Sequence, residues 1–165
     1  MRVPLQTTGC VVVALLVMTT LSAAADSPQG VSPGGIDRIA RTQGTCPTFS
    51  WQATPGAVGY EIVVYRIDDA MRVGLDDDFM LSDDDRVTYL YVPAGVTGWT
   101  PDLDECFQSG EDYVWFVRAR RIRPGGEVVP GGWSQGRFFA TPAEPSPTEI
   151  ARAVQVLRRY LARDG

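Results

Sequence analysis

Six aspartates lie close together in the middle of the chain, and they are the first residues whose types suggest chemistry. Three precede and three follow the segment FMLS of residues 79–82. Calcium takes about six to eight oxygen ligands, often from clustered carboxylates. The alternative is a solvated loop of mutually repelling charges, because the alternating spacing of a calcium-binding loop is absent. The candidate calcium ligands are Asp76, Asp78, Asp83 and Asp85.

Catalytic constellations are scarce in this sequence. Paired carboxylates hydrolyse glycosides, but 20 acidic residues make coincidental pairs common. The absence of histidine removes the commonest general base, the commonest zinc ligand and any Ser-His triad. The net charge of −5 argues against a nucleic-acid partner. We therefore expect a non-catalytic protein without a cofactor, with an enzyme that uses paired carboxylates as an alternative.

The C-terminal segment predicts an amphipathic helix. Its apolar residues recur at spacings of four and three, which makes one stripe, and arginines cover the rest. Ser146, Pro147 and Glu149 have the spacing of a capping box with proline in the first turn. A helix this short needs a partner surface. Three partners stay open: the protein's own acidic body, another copy, or a distinct protein or anionic membrane. The stripe consists of Ile150, Val154, Leu157 and Leu161.

The N-terminal residues 1–25 have the pattern of a secretory signal peptide. Arg2 precedes an apolar run over residues 11–18, and an A-x-A site ends at Ala25. The run is too short for a comfortable membrane span, and an uncleaved anchor is the alternative. We expect an exported protein, periplasmic or secreted, that is not transmembrane after cleavage. Cleavage leaves Cys46 and Cys106, an even pair that favours a disulfide over two free buried thiols.

The rest of the chain predicts β-structure. Residues 26–45 are rich in Gly, Pro, Ser and Gln and predict a flexible tether, with a short strand near residues 36–40 as the alternative. Beyond them, apolar and polar residues alternate with a period of two between Gly/Pro turns, as in half-buried strands. About six short strands with turns between them indicate an antiparallel β-sandwich. The predicted strands cover residues 48–52, 59–67, 87–93, 95–101, 112–122 and 133–141.

The order of these features resembles a fibronectin type III domain. A tryptophan lies in an early strand, a Gly-Tyr pair opens the next, a leucine loop precedes a late tyrosine, and Trp-Ser and Thr-Pro flank the last strand. The resemblance covers residues 46–142, most closely as in modules of exported bacterial proteins. It departs from the family in lacking a clear first strand and in its acidic insertion at 68–86. The residues concerned are Trp51, Gly59, Tyr60, Leu103, Tyr113, Trp133, Ser134, Thr141 and Pro142.

The resemblance implies an all-β, antiparallel fibronectin type III-like β-sandwich, followed at 143–165 by a Pro-rich linker and the amphipathic α-helix. It places Cys46 at the start of the strand predicted at 48–52 and Cys106 in the loop before the strand predicted at 112–122, at one pole, where a structural disulfide would join the sheets. It also implies that Tyr113 forms a tyrosine corner or is a buried core aromatic.

The resemblance further places aromatic and arginine side chains together on the outer face of the sheet formed by the strands predicted at 59–67, 112–122 and 133–141. Such residues are typical of interaction surfaces. Two structural alternatives are cation–π stacking of Trp133 on an arginine and coverage of the face by the protein's own tail. The predicted binding residues of this face are Val63, Tyr65, Phe116, Arg118, Arg120 and Trp133, with Phe138 or Phe139.

Modules of this kind usually bind or space other domains, an implication by analogy because fold does not fix function. We therefore expect a non-catalytic protein-binding or adaptor module that binds another protein, or itself, through the helix or the sheet face. The alternative is binding of carbohydrate or a cell-envelope polysaccharide by Tyr65, Phe116 and Trp133.

Overall fold

A computed structural model of the chain describes residues 27–68 and 81–162. In these two ranges the chain forms nine strands, a short 3-10 turn and one α-helix. In chain order, these are β1 (Gly30–Ser32), β2 (Ala40–Arg41), β3 (Phe49–Trp51), β4 (Ala57–Ile67), the 3-10 turn (Asp83–Asp85), β5 (Arg86–Pro93), β6 (Gly98–Trp99), β7 (Asp112–Ile122), β8 (Val128–Pro130), β9 (Arg137–Ala140) and α1 (Pro147–Leu161).

Two sheets pack face to face. The smaller has the order β1-β3-β6, and the larger has the order β2-β9-β7-β4-β5, with β8 paired to β7. The long strands β4 and β7 are antiparallel neighbours at the centre of the larger sheet. Alternation directs Tyr60, Ile62 and Val64 of β4 inward, where each is at most 2% exposed. The predicted all-β sandwich with a C-terminal helix is confirmed.

Aromatic rings fill the space between the sheets. Phe49 of β3 lies at their centre, and the centroid of its ring is 5.1 to 5.8 Å from those of Trp99, Phe107, Trp115 and Phe139. Tilted and edge-to-face ring pairs add about 0.5–1.5 kcal/mol beyond the burial of their area. This core joins residues from both sheets and so fixes how they face each other.

The tether predicted over residues 26–45 is wrong for much of its described part. β1 pairs with β3, and β2 pairs in parallel with β9. The Arg137 guanidinium donates hydrogen bonds to the carbonyls of Gly30, at 3.1 Å, and Gly34, and the Trp115 ring N–H donates to the Pro33 carbonyl at 2.8 Å. These contacts satisfy polar backbone groups that water would otherwise solvate. The sandwich therefore starts at Gly30 rather than at residue 46.

The predicted disulfide and the predicted tyrosine corner both lie at one pole of the sandwich. Cys46 and Cys106 form a disulfide, with their Cα atoms 4.8 Å apart. The Tyr113 hydroxyl accepts a hydrogen bond of 3.1 Å from the backbone N–H of Gln108, five residues upstream. Thr141 stabilises the same loop, since its hydroxyl donates a hydrogen bond to the Gln108 carbonyl at 2.6 Å. Burial raises the pKa of the Tyr113 phenol above its usual 10.0.

The helix α1 begins with the predicted capping box. The Ser146 hydroxyl accepts from the Glu149 N–H at 3.3 Å, and the Ser146 N–H donates to the Glu149 carboxylate at 2.8 Å. These backbone and side-chain bonds lower the pKa of Glu149 below its usual 4.5. All of α1 is exposed to solvent. The alternative in which the tail covers its own sheet face is therefore wrong. In the described parts of the chain, no helix has both the length and the apolar character to cross a membrane.

Candidate binding surface

The outer face is the side of the larger sheet that points away from the smaller one. The ladder between β4 and β7 places Val63 opposite Phe116 and Glu61 opposite Arg118. Tyr65 lies on the same side, and its ring centroid is 6.4 Å from that of Phe116. The predicted aromatic and arginine residues therefore share one surface.

A single carboxylate, Glu61, organises the charged half of this face. Its side chain is buried, and it accepts hydrogen bonds from the Arg118 Nε at 2.6 Å and from the Tyr89 hydroxyl at 2.7 Å. Its other oxygen is 3.4 Å from the Arg120 Nε. Burial raises the pKa of Glu61, but the bonds from Tyr89 and Arg118 and the charges of Arg118 and Arg120 outweigh it, so the pKa is lowered below 4.5. Both predicted binding arginines thus share one carboxylate within the protein, and the three side chains keep a net charge of +1.

Aromatic rings close this cluster at both ends. The Arg118 guanidinium lies 4.2 Å from the ring centroid of Trp133, and that of Arg120 lies 5.8 Å from the ring centroid of Tyr91. Trp133 is held in place because its neighbour Ser134 exchanges backbone and hydroxyl hydrogen bonds with Val117 of β7. The structural alternative for Trp133, a cation–π contact with an arginine, is therefore what the structure shows.

Sequence reasoning missed three members of this cluster: Glu61, Tyr89 and Tyr91. A signal was present, because Glu61 is the one charged residue between Tyr60 and Tyr65 in an otherwise apolar run. Buried carboxylates require partners, so a lone glutamate opposite an arginine-rich strand indicates an ion pair. The two tyrosines alternate in VTYLYVP, and their side was undetermined until the β4–β5 register was known.

The other half of the outer face is apolar and more covered than predicted. Val63 points outward but is only 3% exposed, and Phe138 belongs to this face while Phe139 is in the core. Val63 is a poor direct binding residue, because neighbouring side chains already shield it. What remains open is a groove of about 220 Å³ lined by Val63, Tyr65, Leu81, Phe116, Trp133 and Ser134. We call this the outer-face groove.

The groove does not favour a sugar. The rings of Tyr65 and Phe116 meet at 76°, so they offer no flat platform, and Arg118 already lies against the Trp133 ring. Its volume is below the roughly 300–1,000 Å³ typical of small-molecule sites. The groove is of a size to receive an apolar side chain from a larger partner.

Two of the four candidate calcium ligands, Asp76 and Asp78, lie outside the described residues. Asp83 instead forms an ion pair of 3.0 Å with Arg86. Over residues 27–68 and 81–162, no three Asp, Glu, Cys or His side chains gather as metal ligands would. No described contact therefore favours a calcium site.

The second surface is the apolar face of α1. Its four predicted members are between 40% and 77% exposed. Tyr160, at 67% exposed, and Val156, at 48%, widen this face beyond the predicted stripe. We define the helix face as Ile150, Val154, Val156, Leu157, Tyr160 and Leu161.

The strand order defines the class of fold. A three-stranded sheet packs on a larger one whose longest strands are central, and a buried tryptophan and a tyrosine corner accompany them. This is a fibronectin type III-like sandwich.

No family model and no curated protein matches the sequence. Among solved structures, the chain is similar to a Fn3-like protein from Clostridium thermocellum, with 18% identity and a TM-score of 0.43 over 75% of this chain and 100% of that chain. The fold assignment rests on the strand order rather than on this likeness.

Proposed function

We propose that this protein is a non-catalytic, exported binding module whose helix face recognises a protein partner. The observation that carries the proposal is a helix with an N-terminal capping box and six large apolar side chains in solvent. Soluble proteins rarely leave a contiguous apolar patch uncovered unless it binds something. A 15-residue helix is also marginal in water alone. Docking on a partner protein would bury the apolar side chains of the helix and so stabilise it.

The fold supports a binding role over a catalytic one. The charged side chains of the outer face form ion pairs with each other, and these pairs join the neighbouring strands β4 and β7. The groove beside them is shallow and apolar, and the chain has no histidine. These features suit a rigid platform that presents a recognition helix.

Export is supported by the cysteines. The Cys46–Cys106 disulfide joins residues 60 positions apart, and such bonds persist in oxidising compartments. Together with the signal-peptide pattern of residues 1–25, this favours the periplasm or the exterior. The protein would meet its partner there.

Site-specific photocrosslinking in intact cells tests the proposal. A photoreactive amino acid at Leu157 places the probe on the helix face, and the same residue at Gln155 points away from it as a matched control. We expect a crosslinked protein from position 157 and none from position 155. Equal crosslinking at both positions, or none at either, would show that the helix face is not a recognition surface.

A further inference from the structure

We propose that the partner of the helix face is a second copy of this chain, and that α1 of each copy docks on the outer-face groove of the other. This inference rests on the proposed function and names its partner. Two complementary apolar surfaces are present on one chain, and the structure leaves both open.

The two surfaces match in kind, because both are apolar. The groove is lined mainly by aromatic and aliphatic side chains. Among them, Trp133 is 37% exposed and Phe116 is half-buried. The helix face offers Leu157 and Tyr160, both more than 60% exposed. Interfaces of this kind place one or two large anchors in a pocket and surround them with polar residues. Leu157 lies in the middle of the stripe and is the natural anchor.

Charge complementarity selects an occupant that is basic beside its apolar stripe. Leu81, which lines the groove, leads through Ser82 into the 3-10 turn Asp83–Asp85. The side chain of Asp83, which pairs with Arg86, is 81% exposed, and Asp84 is also exposed, so residues 83–86, three aspartates and one arginine, keep a net charge of −2. The helix α1 contains three arginines and only one carboxylate, that of Glu149, so it carries a net positive charge. Arg158, the residue after Leu157, flanks the stripe, whereas Arg152 and Arg159 lie on the opposite side of the helix. A helix seated with its stripe on the groove therefore brings Arg158 to the acidic rim, and the positive charge of the whole helix steers encounter. The arginines are Arg152, Arg158 and Arg159.

The linker favours exchange between copies over folding back. Pro142, Pro145 and Pro147 stand within six residues between β9 and the first turn of α1. Each fixes its own φ near −65° and disfavours helix in the residue before it, so the linker acts as a semi-rigid extended spacer. It holds α1 off its own sandwich, as the exposure of the helix shows. Two copies that exchange helices close a two-fold dimer with two identical contacts.

A charge swap in the full mature chain tests this docking. Arg158→Glu and Asp83→Arg/Asp84→Arg would each place like charges across the contact. We expect each change to weaken the dimer by about tenfold in dissociation constant, and the combination of the two to restore it. The readout is sedimentation velocity over a concentration series. Asp102→Arg/Glu127→Arg changes the net charge equally on two exposed residues elsewhere and should leave the dimer unchanged.

Crosslinking maps the contact independently of the charges. With the photoreactive residue at Leu157, we expect a product of twice the chain mass, crosslinked to the segment of Leu81 or of Trp133. A monomer at all concentrations, or an intramolecular crosslink, overturns the exchange. A crosslink from position 157 to a different protein also overturns it but leaves the proposed function intact, whereas no crosslink at all defeats both.

Discussion

Substitution of Glu61 should lower the free energy of unfolding of the sandwich, even when the new side chain has the same shape. Glu61→Gln keeps the volume but leaves Arg118 and Arg120 without their counter-charge in a largely buried site. Breaking a buried pair from one side is strongly destabilising. Because these arginines stay 23% and 33% exposed, we expect a loss of about 2 kcal/mol at pH 7.

The same substitution predicts a pH dependence. Folding lowers the pKa of Glu61 below 4.5, so the unfolded chain takes up this proton at a higher pH than the folded one. The stabilisation is complete above that range and is lost as the pH falls through 4.5 and then through the folded pKa. Urea unfolding at pH 7 and pH 3 should show the gap between wild type and variant closing at low pH. Glu127→Gln, on an exposed glutamate, is the control, and an equal gap for both variants would contradict the assignment.

Tyr113 gives a second test at the residue scale. Tyr113→Phe keeps the ring, which is stacked on Phe139 with centroids 5.2 Å apart, and removes the hydroxyl that accepts from Gln108. The backbone N–H of Gln108 then loses its partner. We expect a loss of about 1 kcal/mol in the free energy of unfolding. Tyr160→Phe, on an exposed ring of α1, should change it by much less, and equal effects would show that the corner is not stabilising.

At the scale of elements, α1 and the sandwich should unfold independently within one chain. Since all of α1 is exposed, a chain that ends at Thr141 should keep its thermal midpoint within about 2 °C of the full chain when both are monomeric at low concentration. Ser146→Ala should lower only the helical chemical shifts of residues 147–161, because it removes the N-cap acceptor. Ser109→Ala is the matched control. A large drop in midpoint on truncation would mean that the helix packs on the sandwich.

The long elements could be predicted from the sequence, and so could the short strands β3 and β6, which lie inside the predicted strands 48–52 and 95–101. The strands β1, β2 and β8 could not. β4 and β7 carry eleven residues each of alternating pattern, and the helix has both a period and a cap. β1, β2 and β8 have two or three residues each, too few to show a period. β2 forms only because β9, nearly a hundred residues later, offers it a free edge. Their formation depends on tertiary partners, which local pattern does not reveal.

The candidate site divides in the same way. Alternation predicted which residues of β4 and β7 face outward, because that depends only on the period of a strand. It did not predict that Glu61 would pair with both arginines or that Val63 would be only 3% exposed, because both depend on strand register and on neighbouring side chains. Outward direction was therefore predictable, while exposure was not.

At the scale of the whole molecule, one disulfide ties the pole where the two sheets meet. It closes a loop of 60 residues, which in the chain-entropy account contributes up to about 4 kcal/mol. Cys46→Ser/Cys106→Ser should lower the free energy of unfolding by several kcal/mol relative to the oxidised wild type, by about that amount at most. Added dithiothreitol should lower the wild type to the same level and leave the variant unchanged. If neither the double substitution nor dithiothreitol lowers the free energy of unfolding, the disulfide does not stabilise the sandwich.

The number of free thiols in the protein isolated from its cell tests that bond and export together. The chain has three cysteines, and Cys10 lies within the signal-peptide pattern. Cleavage before Asp26 removes Cys10, and oxidation of the other two then leaves no thiol that reacts with Ellman's reagent after denaturation. One reactive thiol would show a disulfide in an uncleaved chain, and two would show a cleaved chain that stays reduced. We expect none, together with Asp26 as the N-terminal residue on Edman sequencing. Two thiols would overturn the disulfide, and one would overturn the cleavage.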